Sequence, residues 1–260
     1  MFYRAYNLIL KVFAKAYSVF VKTVWIRPIF DAIHPNATIL EIGGGYNPRF
    51  TQEKFANVYH LDHAATEELR AKYSTDPHVG HLVHQIQQID FIGDGSPIED
   101  LIPAELRFDV IFSSHALEHQ VDLIRHFNSL EKLLKPGGRV VMIIPDYRTC
   151  FDALRYPTVV SDVIAVHRRG APIHQNKQIF EHVTRTININ PGRRVRAYDI
   201  AVAGFNNSIT DGVDAVARSE HPDAVYEDTH AWIFFPPSFE LLMLELYMLG
   251  YTRLRAVKVS

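Results

Sequence analysis

Residues 37–50 read ATILEIGGGYNPRF, and this stretch decides the fold. Thr38, Ile39, Leu40 and Ile42 form a largely β-branched apolar run with one acid, Glu41, near its end, which reads as a buried strand. Gly43, Gly44 and Gly45 then let the chain turn tightly and let a ligand approach bare backbone. Asn47 suits a helix N-cap and Pro48 the first helical position. The expectation is strand, glycine turn, helix: the first crossover of a nucleotide-binding α/β sheet.

Outward from that stretch, 57–64 (NVYHLDHA) reads as a second short strand with Asp62 near its end, and 65–73 as helix. Residues 74–88 place His78, His81 and His84 at every third position, which an α-helix would fan around its surface, so loop and short helix are expected. A third strand spans 89–95, closing on Asp94-Gly95-Ser96, and a fourth spans 108–114 (FDVIFSS). The clearest helix is 120–135, where Leu123, Ile124, Phe127, Leu130 and Leu134 share a face and Asp122 opens it favourably for the helix dipole. Pro136-Gly137-Gly138 is expected to stop it, and 139–145 to be a fifth strand. This alternation predicts an α/β fold with a Rossmann-like, doubly wound, mainly parallel sheet. Ligands of such sheets sit beyond the carboxyl ends of the strands, which draws Gly43 to Gly45, Asp62, Asp94, Ser114 to His119 and Asp146 around one cleft.

From 147 to 236 the regularity is lost over a stretch too long for a plain loop, so an inserted, partly helical cap is expected. It carries His167, His174, His182, His221 and His230. Residues 238–249 read as an apolar helix ended by Gly250, and 252–260 as a closing strand. The organisation expected is an amphipathic helical segment (1–30), a cofactor-binding core (31–146), a cap or substrate region (147–236), and a helix and strand completing the core (237–260).

The 260 residues carry a net charge of −2, which argues against a chain built to track nucleic-acid phosphates. The single cysteine, Cys150, leaves no internal disulfide and fits a reducing, cytoplasmic compartment; it reads as a small thiol beside a strand end. Residues 1–27 hold five basic residues and no acidic one, and lack a secretory cleavage site. Arg4, Lys11, Lys15 and Lys22 interrupt any membrane span. With Asn7 and Ser18 those four residues recur every three or four positions, so a helix gathers them in one stripe. Two readings stand: peripheral contact with an anionic membrane at its inner face, or a lid packed on its own domain or on a twin subunit.

A dinucleotide fingerprint wants glycine at its first, third and sixth positions, and the sixth here is Pro48. A glutamate at Glu41 is also poorly suited to sit beside a pyrophosphate. Both features suit S-adenosyl-L-methionine, which carries an ammonium, a sulfonium and a ribose diol. Glu41 is expected to meet the ammonium directly or through water, Asp62 the ribose hydroxyls, and Asp94 the adenine amino group, with Asn47, His63, Gly95, Ser114 and His115 bordering the cofactor.

The order EIGGGYNP, LDHA, IDFIGDG, FDVIFSSHALEH and LLKPGGRVVMIIPD resembles class I S-adenosylmethionine-dependent methyltransferases over about 37–146. NP after the glycines, LDHA, PDYRTCFD and HAWIFFPPSF further resemble a bacterial subfamily associated with cell-surface glycan synthesis. That resemblance implies O-methylation of a saccharide or related cell-envelope precursor at the cytoplasmic face. Asn47 departs from the class by standing where a third glycine is usual. The chain also ends after one strand beyond the last helix, so the usual seventh strand is either missing or supplied from 187–203.

A hydroxyl acceptor needs a general base within hydrogen-bond reach. The candidates are Asp146 at the tip of the fifth strand, His119 after the fourth, and His182, His230 and Asp152 in the cap. Each has a plainer alternative: helix capping for Asp146, a helix-start bond for His119, ordinary polar packing for the others. No metal is expected, since His115 and His119 lack a zinc protease's H-E-x-x-H arrangement; a third ligand from the cap is the alternative. Arg148, Arg155, Arg168, Arg169, Arg193 and Arg194 suit a grip on phosphate or carboxylate, or else a solvated surface. A methyltransferase for another small metabolite and a non-catalytic cofactor-binding adaptor at the membrane stand as competing functions. A nicotinamide oxidoreductase is disfavoured by Pro48.

Overall fold

The computed structural model describes residues 27–174, 176–187 and 204–259. The amphipathic helix expected at the N-terminus, 188–203 as a source of a seventh strand, and Arg193 and Arg194 lie outside them. The chain enters through α1 (Arg27–Asp31) and forms five strands: β1 (Thr38–Ile42), β2 (Asn57–Asp62), β3 (Phe91–Ile92), β4 (Phe108–Ser114) and β5 (Leu134–Ile143). All pair parallel in the order β3-β2-β1-β4-β5. Strand order reverses at β1, so β1 is central and its carboxyl end opens the crevice where ligands of such sheets bind. This is the doubly wound, Rossmann-like arrangement that the alternation of strands and helices predicts.

Between the strands run α2 (Thr66–Ser74), α3 (Ile98–Leu101) and α4 (Leu123–Leu133). After β5 come α5 (Val160–Arg169), α6 (Lys177–Arg185), α7 (Ile209–Ser219) and α8 (Pro236–Met248). No helix among the described residues is long and apolar enough to cross a membrane. Leu123, Ile124, Phe127, Leu130 and Leu133 of α4 are all buried, packing with Leu40, Ile111, Trp232 and Leu246 on one side of the sheet. On the other side Ile39, Val110 and Phe112 pack with Phe50.

Four expectations are corrected. First, no helix follows the glycine turn. The Glu41 carboxylate accepts the amides of Arg49 (2.7 Å) and Phe50 (3.0 Å), drawing the chain back onto β1. Phe50 then plugs the core, its ring 5.2 Å from those of Phe30 and Phe55 and 5.3 Å from that of Phe112. Second, β3 has only two residues, because the Asp94 carboxylate takes the Ser96 amide and turns the chain out.

Third, Pro136-Gly137-Gly138 lies within β5 instead of ahead of it, since α4 ends at Leu133 and Leu134 already pairs with Phe108. The register shifts between Phe108 and Val110, so these residues form a bulge. Fourth, 252–259 form no strand. The Arg253 amide and guanidinium both bind Glu131 on α4, holding the tail away from a sheet edge. A single parallel bridge, Asp146 to Phe234, lies beyond β5.

The bulge needs its second glycine for room. A Cβ on Gly138 would stand 2.9 Å from the carbonyl oxygens of both Phe108 and Lys135, and backbone cannot step aside as a side chain can. Gly138→Ala should therefore cost about 1–3 kcal/mol in chemical denaturation, the range of overpacking. An unchanged midpoint would remove this account of the bulge.

Candidate functional site

The carboxyl ends of the central strands hold two groups of polar residues, beginning with the glycine turn. Gly43 and Gly45 have φ of +69° and +48°, a backbone that L side chains rarely adopt. Gly44 lies against Glu41, whose Cδ would be 3.3 Å from an added Cβ. Asn47 closes the turn by donating its amide to the Gly44 carbonyl, not by capping a helix. Tyr46 packs edge-on against Tyr73 of α2.

Asp62, at the end of β2, is buried and accepts from the amides of Gly45 (3.1 Å) and His63 (2.8 Å). The His63 ring adds a 2.7 Å bond through Nδ1, and its Nε2 meets Lys72 Nζ at 3.0 Å. Burial raises the Asp62 pKa, but the bonds from His63 and Gly45 outweigh it and hold the group below its ordinary value, as an anion. Asp94 stands exposed at the next strand end with Ser96 on its carboxylate, and the Gly95 carbonyl faces Arg125. Ser114 ends β4, and His115 follows at φ +53° with its amide bound to the Ile143 carbonyl.

Glu41 is 1% exposed and each carboxylate oxygen accepts an amide of its own chain, so it closes the turn from beneath. Burial dominates and pushes its pKa up to about 7, against the two amides.

The second group joins β4's exit to the segment after β5. Ala231 and Trp232 both donate their amides to the Glu118 carbonyl (2.7 and 3.2 Å), and Trp232 Nε1 donates to the Gln120 carbonyl. These bonds set the His119 and His230 rings edge to face, 4.6 Å apart. His230 Nδ1 lies 2.7 Å from Asp152, whose other oxygen accepts from Arg155 at 3.0 Å. His119 Nδ1 lies 2.7 Å from Asp228. Burial lowers the His119 pKa, but the Asp228 carboxylate more than offsets it and the value is raised. His182, on α6, accepts the His230 amide through Nδ1 at 3.3 Å. Burial, aided by Arg155, drives its pKa down to about 4, so the ring is neutral.

Four expected bases, His119, His182, His230 and Asp152, thus converge, while the fifth stands apart. Asp146 is held in a bidentate ion pair by Arg148 and accepts its amide, the capping alternative weighed for it. Arg148 also covers the Phe235 ring, and Arg155 is buried on Asp152, so neither offers a free charge to a phosphate. Asp228 is not among the residues singled out from the sequence, although its spacing two residues before His230 is a usable signal. Glu118 falls inside the stretch drawn to the cleft but carries no assigned role there.

The methyltransferase-domain family model matches residues 21–187, more than half of the chain. The chain belongs to that family. Its members transfer methyl groups from S-adenosylmethionine, so this methyltransferase takes S-adenosylmethionine as its cofactor. Similar proteins include the ubiquinone/menaquinone biosynthesis C-methyltransferases UbiE of Vibrio vulnificus strains YJ016 and CMCP6. Each is 23% identical over 214 residues, covering 76% of this chain and 77% of the relative. Among solved structures, the glycopeptide N-methyltransferase MtfA complexed with S-adenosylmethionine is 18% identical (TM-score 0.31; 45% of this chain and 51% of that one). A methyltransferase from Clostridium acetobutylicum ATCC 824 is 16% identical (TM-score 0.36; 58% and 61%). The methyltransferase spans about half the length of the first of these structures.

The Glu41 environment carries a pH signature. Between its ordinary value of 4.5 and its folded value of about 7, the folded protein keeps a proton that the unfolded chain has released. This group therefore lowers stability as pH rises through that window, by at most about 1.4 kcal/mol per pH unit. Denaturation of wild type and Glu41→Gln across the window should show the decline only in wild type. Parallel profiles would contradict the assignment.

Proposed function

We propose that this methyltransferase acts on an oxygen of a small hydroxylated acceptor, with a saccharide or related cell-envelope precursor as the acceptor class. The observation that carries the reading is the meeting of two carboxylate-backed histidines, Asp152–His230 and Asp228–His119, beyond β4. The saccharide class rests on the sequence resemblance alone. Residues 147–236 serve as the substrate-side cap. The basic stripe of 1–27 supports contact with an anionic membrane at the cytoplasmic face, the alternative being a twin subunit; deleting 1–27 should then abolish flotation with anionic liposomes, and equal flotation by both forms would refute it.

The glycine turn and the buried Asp62 anion fit the cofactor. Asp62 Oδ2 has one described bond, to Gly45, and so keeps capacity for a ribose hydroxyl. Gly43, Gly44 and Gly45 present bare backbone to it, Asn47 and His63 flank it, and Asp94, Gly95, Ser114 and His115 border its adenine side. Glu41 acts beneath this surface by holding the turn. S-adenosylmethionine, when bound, would supply a methyl carbon open to in-line attack by an oxygen lone pair, the O–C bond forming as the C–S bond breaks and S-adenosylhomocysteine leaves.

The remaining task is to place and activate the acceptor. Asp152 bonds Nδ1 of His230, which leaves Nε2 as the basic face of that ring, and Asp228 lies 2.7 Å from Nδ1 of His119. His182 is arranged differently: its Nδ1 is taken by the His230 amide, so Nε2 carries its proton and donates. His230 therefore receives the acceptor's single proton, with His119 beside it as the other candidate, and His182 orients the acceptor oxygen. A phenol methylated on carbon also loses its O–H proton, so the likeness to C-methyltransferases favours phenolic acceptors as a second reading.

Calorimetry and product assays separate these steps. Wild type should bind S-adenosylmethionine and release S-adenosylhomocysteine with a member of a saccharide or phenol panel. Asp62→Ala should lose binding. His230→Ala should keep binding but lose about 10²–10⁴-fold in kcat, the usual weight of general-base catalysis. Unimpaired turnover by His230→Ala would overturn the assignment of the site, and turnover of phenols alone would select the second acceptor class.

A further inference from the structure

One buried acid takes no part in the chemistry proposed for the histidines. Glu118 is 0% exposed, and neither of its carboxylate oxygens has a hydrogen-bond partner among the described residues. Its nearest basic atoms are His115 Nδ1 at 3.5 Å and His119 Nε2 at 3.9 Å. An ionised carboxylate buried in this way is costly, and buried polar groups nearly always find partners. A carboxylate in this setting, with two imidazole edges nearby, suits a cation.

We infer that Glu118, His119 and His230 form a site for one divalent transition-metal ion of the zinc type. One ligand atom from each residue lies within 4.8 Å of the others. A single ion at about 2.0–2.2 Å from each would draw them together by small side-chain rotations. His230 already has the arrangement that metal-bound imidazoles use, Nδ1 bonded to a carboxylate, and His119 Nδ1 lies 2.7 Å from the Asp228 carboxylate. The framework is set without the ion, because the bonds from Ala231 and Trp232 to the Glu118 carbonyl lock the two segments together. Two imidazoles and one carboxylate favour zinc, iron, cobalt or manganese over magnesium and calcium, which want oxygen ligands. Three protein ligands leave a position for water or for an oxygen of the acceptor, and only this last extension rests on the function proposed above. An ion there would lower the pKa of a bound hydroxyl, and its proton would pass to solvent instead of to an imidazole.

The test uses the full chain, stripped with chelator, dialysed against zinc or cobalt and analysed for bound metal. Wild type should retain about one ion per chain and, with cobalt, show the visible d–d absorption of low coordination. Glu118→Gln and His230→Gln should lose the ion and the absorption while keeping the far-ultraviolet circular dichroism of wild type. Asp152→Asn, which keeps all three ligands, should weaken affinity about 10–100-fold. A folded wild type that retains no metal would overturn the inference, as would equal retention by wild type and the Glu118→Gln/His230→Gln double variant. S-adenosylmethionine calorimetry and turnover on the same samples separate the two claims. Turnover by metal-free wild type that His230→Ala abolishes would keep the imidazole reading and remove the metal from the chemistry, and metal uptake without turnover of any acceptor would keep the metal site and remove the proposed function.

Discussion

The buried carboxylate of Glu41 is the constraint on which the cofactor end of this molecule depends. It sits in the central strand, with β2 and β4 on either side, where no water can solvate it. The two amides it accepts come from Arg49 and Phe50, so solvating the charge and folding the glycine turn are one event. Phe50 is thereby delivered into the aromatic cluster with Phe30, Phe55 and Phe112. Gly45, at the other side of the turn, is positioned to donate to Asp62, so one acid beneath the turn sets the reach of another above it.

A second tie, the double acceptance by the Glu118 carbonyl, joins β4's exit to the segment that ends in α8. Without it His119 and His230, separated by more than a hundred residues, would have no reason to meet. The partners of each ring then decide its chemistry. His230 bonds a carboxylate through Nδ1, His119 Nδ1 lies beside another, and His182 Nδ1 accepts an amide.

The parallel sheet was legible because its signals are local. β1 and β4 are apolar runs of strand length bounded by glycine or polar residues, and they stand close to where the pattern puts them. The missing helix after Pro48 was not legible, since Asn47-Pro48 is a sound local start signal overridden by a carboxylate six residues upstream. The last strand failed for a similar reason: Thr252 onward has strand composition, but Glu131 on α4 captures Arg253. Bulge geometry at Gly138 needs the register of two strands, which one strand's sequence does not contain. At the site, His119, His182 and His230 could be named as candidates but not joined, because the contact that joins them is a backbone bond.

The plainest lesson concerns which acid does what. Glu41, Asp62, Asp146 and Glu118 all lie at or near strand ends, and sequence position alone makes them look equivalent. Burial and partners separate them. Asp62 keeps acceptor capacity while remaining anionic, and Asp146 spends its oxygens on Arg148. Glu41 spends its oxygens on amides. Glu118 alone of the four is wholly buried with no hydrogen bond to either oxygen among the described residues. A fold that satisfies three strand-end acids and leaves the fourth unsatisfied beside two carboxylate-oriented imidazoles has concentrated its electrostatic cost at one point. That point lies where β4 opens onto the cleft, the place where a charge-stabilising ligand does chemical work as well as structural work.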